Sequence, residues 1–350
     1  MQRQLKKEVK IGNLKIGGTN PIAIQTMLNV PVKDIAGNVA QAQRVAAAGC
    51  QIVRVTVPTP ADAAVVAAIK EKVDIPVVAD IHFDYRAALA ALDAGADKIR
   101  INPGNVGLGE GLDYVIAEAK RAGIPIRIGI NGGSLPAEFL KDEAAGMAEL
   151  MRRYVRYFEE RGFFDLVLSA KSSDVATSIR VNRLLAQAYD YPIHIGLTEA
   201  GTAERGILKS AVVAGALLTD GIGDTLRVSL TDDPVREAEA ALEILQAVGK
   251  KKDFVEVISC PTCGRCRIDL IPLAQAVSEH VKGVKKSMKI AVMGCAVNGP
   301  GEAKNADLGL AGGDGKAVFF KKGKIFKSVS DSENILAEFL MEIDRELNEK

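Results

Sequence analysis

Residues 76–130, PVVADIHFDYRAALAALDAGADKIRINPGNVGLGEGLDYVIAEAKRAGIPIRIGI, read as strand, helix, strand, helix, strand. The runs at 76–81, 98–102 and 125–130 are short, β-branched and nearly continuous, the pattern of parallel strands buried on both faces. Ala-rich amphipathic segments at 84–94 and 110–122 separate them. Gly95 and Gly123 close these helices where a left-handed cap is wanted, as Gly49 and Gly162 do elsewhere. Outward from this stretch the same unit recurs between residues 20 and 250. It gives strands at 21–27, 52–57, 165–170, 192–199 and 225–230, and helices such as 61–72, 174–189 and 234–248. Eight such units in about 230 residues match a (β/α)8 barrel, which typically takes about 250. A doubly wound open sheet shares the periodicity, but the count of eight and the lack of a G-x-G-x-x-G turn after the first strand favour the barrel.

Before the first strand, VKIGNLKIGGT at 9–19 reads as a hairpin placed to plug the barrel's bottom. Composition shifts at Lys250–Lys252, and beyond it the elements read as α+β. They are a strand at 254–258, a helix at 269–282, a strand at 289–293, a hairpin at 316–329 and a helix at 332–348. The fold class is therefore α/β: a TIM-type barrel over 1–250, followed by a smaller α+β domain over 251–350. Lys and Arg total 45 against 44 Asp and Glu, and a net charge of +1 argues against a nucleic-acid partner. No apolar run reaches the length of a membrane span, and MQRQLKKEVK lacks the apolar core of a signal peptide. A cytoplasmic protein without membrane attachment is expected.

In a barrel the chemistry gathers where strands end. Those ends carry Gln25, Asn29, Arg54, Thr56, Asp80, His82, Arg100, Asn102, Asn105, Arg127 and Asn131. The later strands add Ser169, Lys171, His194, Glu199, Arg227 and Ser229. Arg54, Arg100, Arg127 and Arg227 lie inside otherwise apolar strands, where an unpaired charge is unfavourable, and period-2 geometry can aim them into the barrel mouth. Four arginines and a lysine converging on one face suit phosphate oxygens. The competing reading pairs individual arginines with Asp80, Asp224 or Glu199. Asp80, His82 and His194 would suit a metal, but the chain has only 3 His, and a strand-end His is more often a hydrogen-bonding group. Glu199, beside Gly201, is the candidate general acid or substrate-orienting group.

The chain has 5 cysteines. Cys50 stands alone between a helix and a strand and reads as a small buried hydrophobe. SCPTCGRC at 259–266 places Cys260, Cys263 and Cys266 in a C-x-x-C-x-x-C turn, and Cys295 lies in MGCAVNGPGEA. In a reducing compartment such clustering points to a metal or an iron–sulfur cluster. A zinc ribbon would want a second C-x-x-C pair, which is absent. From spacing alone the third thiolate is either Cys266 or Cys295, and the fourth ligand is open.

SCPTCGR with MGCAVNGPGEA resembles the iron–sulfur region of the 4-hydroxy-3-methylbut-2-enyl diphosphate synthase family, in its shorter bacterial form. IQTMLN, IVRVTVP, ADIHFDYRAAL, KIRINPGN, RIGINGGSL, SAKSSD, GLTEAG and TLRVSL resemble it in the barrel. The resemblance implies one [4Fe–4S] cluster per chain held by Cys260, Cys263, Cys295 and Glu302, with Cys266 a bystander. It implies that Arg54, Arg100, Arg127, Asn131, Lys171 and Ser229 hold a cyclic diphosphate, and that Glu199 has an acid/base role. It further implies a ferredoxin or flavodoxin as electron donor, and a head-to-tail homodimer. The reaction would be reduction of 2-C-methyl-D-erythritol 2,4-cyclodiphosphate with loss of water, in the methylerythritol phosphate route to isoprenoids.

The rival from the residues alone is a lyase using Lys171 as a Schiff-base amine, with a structural zinc in the second domain. It leaves the loop around Cys295 and Glu302 without a purpose.

Overall fold

The computed structural model describes residues 3–295, 303–313, 316–330 and 334–349. The chain divides into two compact units, Met1–Lys250 and Lys251–Lys350.

The first unit opens with a hairpin of β1 (Val9–Ile11) and β2 (Leu14–Ile16). Eight parallel strands follow: β3 (Ala23–Met27), β4 (Ile52–Thr56), β5 (Val77–Asp80), β6 (Lys98–Ile101), β7 (Ile126–Asn131), β8 (Leu166–Lys171), β9 (His194–Ile195) and β10 (Thr225–Leu226). They run in the order β8-β7-β6-β5-β4-β3-β10-β9, and a parallel bridge between Leu168 and Ile193 brings β8 and β9 together, all but closing the sheet. Helices α1 (Ile35–Ala47), α2 (Ala64–Lys72), α3 (Tyr85–Asp93), α4 (Glu110–Ala122), α5 (Glu143–Glu160), α6 (Val175–Ala188), α7 (Ala203–Thr219) and α8 (Pro234–Ala247) follow β3 to β10 in turn. Aspartates accept a backbone N–H at the start of α1, α3, α5, α6 and α8, satisfying donors that a helix leaves open. Gly49, Gly95, Gly123 and Gly162 take positive φ where their helices end.

The seventh and eighth strands are shorter than the runs 192–199 and 225–230 suggested. Gly196 turns the chain at φ 152 and Glu199 sits at φ 53, so the extended backbone stops well before Glu199. At the N-terminal ends of the strands, Ala23, Ile52, Val78 and Val167 pack against Val9, Ile11 and Ile16 of the hairpin. Cys50 is buried at the foot of β4, and burial pushes its thiol up to about 11.

In the second unit one five-stranded sheet runs β11 (Val255–Ser259), β12 (Met288–Met293), β13 (Leu308–Gly313), β14 (Lys316–Lys321) and β15 (Lys324–Val329). The first three are parallel and the last two antiparallel. Helices α9 (Leu270–His280) and α10 (Ile335–Asn348) bury Leu270, Val277, Phe339 and Ile343 on one face of it. β13, half of whose LGLAGG is glycine, matches no element expected from the sequence. His280 forms an exposed pair with Asp344 at 2.7 Å. Among the described residues no helix is long and apolar enough to cross a membrane.

Candidate active site

The C-terminal ends of the barrel strands enclose a cavity of about 260 Å³. Arg54, Arg100, Arg127, Asn131, Lys171 and Ser229 all line it; Arg127 and Asn131 share β7, and the others come from β4, β6, β8 and the loop after β10. Arg227 and His82 join them. Glu199 is not in the lining; it is exposed and stands near Gly133 in the loop after β7.

Few carboxylates balance this charge. Asp80 accepts from Arg100 at 2.9 Å and lies 3.8 Å from Arg54, while Arg227 lies 3.3 Å from Glu237 of α8. Asp80 thus pairs with Arg54 and Arg100 as the competing reading has it, whereas Arg227 takes Glu237, a carboxylate that reading did not name, and Asp224 pairs with Arg3. Arg127 is only 2% exposed, and its Nε and that of Arg100 are buried without a hydrogen-bond partner among the described residues. Burial alone would raise the Asp80 carboxyl, but Arg54, Arg100, His82 and Arg127 together hold it below its usual value. Burial, ahead of the neighbouring guanidinium groups, moves Arg127 well below its ordinary range and Arg54 down to about 9. An arginine keeps its proton in practice, so the downward direction of these shifts marks a cavity that favours an incoming anion.

Below this layer the barrel holds two groups the sequence reading overlooked. Lys98, fully buried, donates to Gln25 Oε1 at 3.1 Å across the interior, and Gln25 Nε2 is left unpartnered. The available signal was its position two residues before Arg100, on the same face of β6. Glu237 holds Thr26, Arg227 and the Leu230 N–H at once, and nothing in DDPVREAEA marks it for that part. His194 is a hydrogen-bonding group, as its position suggested: one nitrogen meets Lys171 Nζ at 3.2 Å and the other Thr225 Oγ1 at 2.7 Å.

The thiols lie beyond the ends of two neighbouring parallel strands. Ser259 of β11 pairs with Val292 of β12, so Cys260 and Cys295 leave the sheet at the same end. The Gly294 N–H donates to Cys260 Sγ at 3.2 Å. A Cβ on Gly294 would stand 2.5 Å from Cys266 Sγ, so this position needs glycine. Cys266 Sγ itself donates to the Ile268 carbonyl at 3.2 Å, as a protonated thiol bracing the turn would. Cys263 is exposed, and the backbone N–H of Arg265 leads the contacts that lower its thiol below the ordinary value, favouring the thiolate. Among the described residues no three His, Cys, Asp or Glu side chains are already gathered tightly enough to hold a metal. Glu302 lies outside the described residues. The donor chemistry still fits an iron–sulfur cluster: Cys260 and Cys295 leave the same end of a sheet, Cys263 is an exposed thiol on the turn after Cys260, and a backbone amide donates to the Cys260 sulfur.

Comparison with known proteins agrees with both units. The GcpE TIM-barrel domain family matches residues 6–242, and the GcpE protein C-terminal domain family matches residues 256–345. Among curated relatives, the 4-hydroxy-3-methylbut-2-en-1-yl diphosphate synthase (flavodoxin) of Caldanaerobacter subterraneus subsp. tengcongensis is 51% identical, with 99% of each chain covered. The protein of that name from Fusobacterium nucleatum is 49% identical, with 98% of each covered. Among solved structures, the dihydropteroate synthase of Yersinia pestis superposes with a TM-score of 0.51 at 14% identity, covering 69% of this chain and 97% of that one. At that identity the likeness shows the barrel fold alone. With both family domains matched and relatives near half identity along its full length, the chain belongs to the 4-hydroxy-3-methylbut-2-en-1-yl diphosphate synthase (flavodoxin) family.

Proposed function

We propose that this chain is an iron–sulfur oxidoreductase of isoprenoid biosynthesis. It converts 2-C-methyl-D-erythritol 2,4-cyclodiphosphate, with two electrons and two protons, into 4-hydroxy-3-methylbut-2-enyl diphosphate and water. The observation that carries the reading is the convergence of Arg54, Arg100, Arg127 and Lys171 in one small buried cavity with Asp80 as the carboxylate beside them. The names of the relatives support the product and a flavodoxin as donor.

In this reading the guanidinium groups grip the diphosphate oxygens, and Asn131 and Ser229 add neutral donors. Asp80 and Glu237 orient Arg100, Arg54 and Arg227 before the ligand arrives, so little reorganisation is needed on binding. Glu199, beside the cavity rather than in it, delivers a proton to the departing oxygen. Cys260, Cys263 and Cys295 hold one [4Fe–4S] cluster, with Glu302 as fourth ligand on the strength of the family resemblance. When bound, the cluster supplies the electrons of the reduction. A reduced flavodoxin, or a ferredoxin in its place, delivers them from outside. The chain works in the cytoplasm as a head-to-tail homodimer.

Anaerobic purification, with iron, acid-labile sulfide and zinc measured per chain, tests this first. About four irons and four sulfides, together with turnover of the cyclic diphosphate under reduced flavodoxin, are expected. Zinc without sulfide, and borohydride trapping of a substrate on Lys171, would sink it in favour of the lyase. The dimer is tested by mixing a Cys295→Ser chain with an Arg127→Met chain: activity that returns on mixing requires sites shared between chains.

A further inference from the structure

We propose that His194 is a positioning residue that acts through Lys171, holding its amine against the bound phosphoryl oxygens. The inference rests on the reading of the cavity as a diphosphate site.

Lys171 ends β8, and His194 and Thr225 sit side by side in register on β9 and β10. His194 is 0% exposed, with Nε2 3.2 Å from Lys171 Nζ and Nδ1 2.7 Å from Thr225 Oγ1. Gly196 bounds the lysine as well: at φ 152 it carries no Cβ, and one placed there would stand 2.8 Å from Nζ and 2.3 Å from the Arg227 carbonyl. The amine is thus held between an imidazole and bare backbone, and His194 is its hydrogen-bond partner among the described residues.

The charged groups around the pair are Arg54 on β4, Asp80 on β5, His82 just after it, Lys98 and Arg100 on β6, Arg127 on β7, Arg227 just after β10, and Glu237 on α8. Cations outnumber carboxylates. Burial first, then Arg227, Arg127 and Arg54, sets Lys171 well below the ordinary lysine range. Burial, then Lys171, does the same to His194. An anionic phosphoryl group opposes that local field and raises the proton affinity of the amine, favouring the ammonium. An ammonium only donates. His194 must then accept at Nε2 and keep its own proton on Nδ1, donated to Thr225 Oγ1. Thr225 fixes the tautomer, and His194 fixes where the ammonium points.

Calorimetric titration of the full chain with inorganic pyrophosphate, at pH 7 to 9 in two buffers of different ionisation enthalpy, tests this. The wild type should take up protons on binding, up to one per site, with affinity falling by up to about tenfold per pH unit in that window. His194→Met should bind about tenfold more weakly and lose the uptake, and His194→Gln, whose amide oxygen still accepts, should recover most of both. Thr225→Val should shift both in the same direction by less, and it stands in if His194→Met does not fold. In a Lys171→Met background the His194 substitution should change nothing further. Wild-type affinity and proton count in His194→Met, or a loss that persists without Lys171, would overturn the proposal. A wild-type chain that binds no pyrophosphate would overturn the diphosphate reading beneath it as well.

Discussion

In the barrel, the groups that would meet a ligand stand on the strands themselves. Arg54, Arg100, Arg127 and Lys171 are buried, and the pleat aims each of them inward. In the second unit the thiols come after the strands, on the turns beyond β11 and β12, and they range from buried Cys295 to exposed Cys263. Strand spacing of about 4.8 Å fixes the arginines relative to one another before any ligand is present. Turns fix the thiols less tightly, and their geometry is completed by whatever they bind. In the reading proposed above, one protein would thus hold a preformed anion site and a thiol site completed by the metal it binds.

That contrast can be broken most decisively at Cys295. Cys295→Ser should lose essentially all iron, sulfide and turnover while pyrophosphate binding by the barrel stays within twofold; a loss of both would mean the anion site is not preformed. Next in size, Glu199→Gln should lower turnover by about 10²–10⁴ with iron content and pyrophosphate affinity kept. Full activity in that variant would remove Glu199 from the acid role. Arg127→Met should weaken pyrophosphate binding by about 10- to 100-fold. The same variant should raise the melting temperature, because a buried cation without a paired carboxylate has been removed. The smallest effect sharpens the thiol side: Cys266→Ser should leave the iron content unchanged, since its sulfur is engaged with the Ile268 carbonyl. Iron lost from Cys266→Ser and kept in Cys295→Ser would reverse the ligand assignment.

The barrel was legible because buried parallel strands write themselves as β-branched runs, and an arginine inside such a run is conspicuous. The reading overshot at β9 and β10, where the apolar pattern continues but Gly196 and the left-handed Glu199 turn the chain away. It missed β13 because three of the six residues in LGLAGG are glycine; its strand character comes from partners on both sides, with Gly309 opposite Phe320 in register. In the site, residues on strands were visible and their supports were not. Glu237 reaches Arg227 from a helix whose local sequence is unremarkable, and Lys98 hides one step below Arg100. Such supports are defined by contacts between distant segments, which a linear pattern does not encode.

The hairpin at the foot of the barrel has a consequence for traffic. Val9, Ile11 and Ile16 cover the apolar ends of the strands and floor the barrel at the end away from the arginines. With the floor packed, ligand would enter and product would leave on the side of the arginines. A product still seated on the arginines blocks the next arrival, which makes product a competitor of substrate by geometry alone.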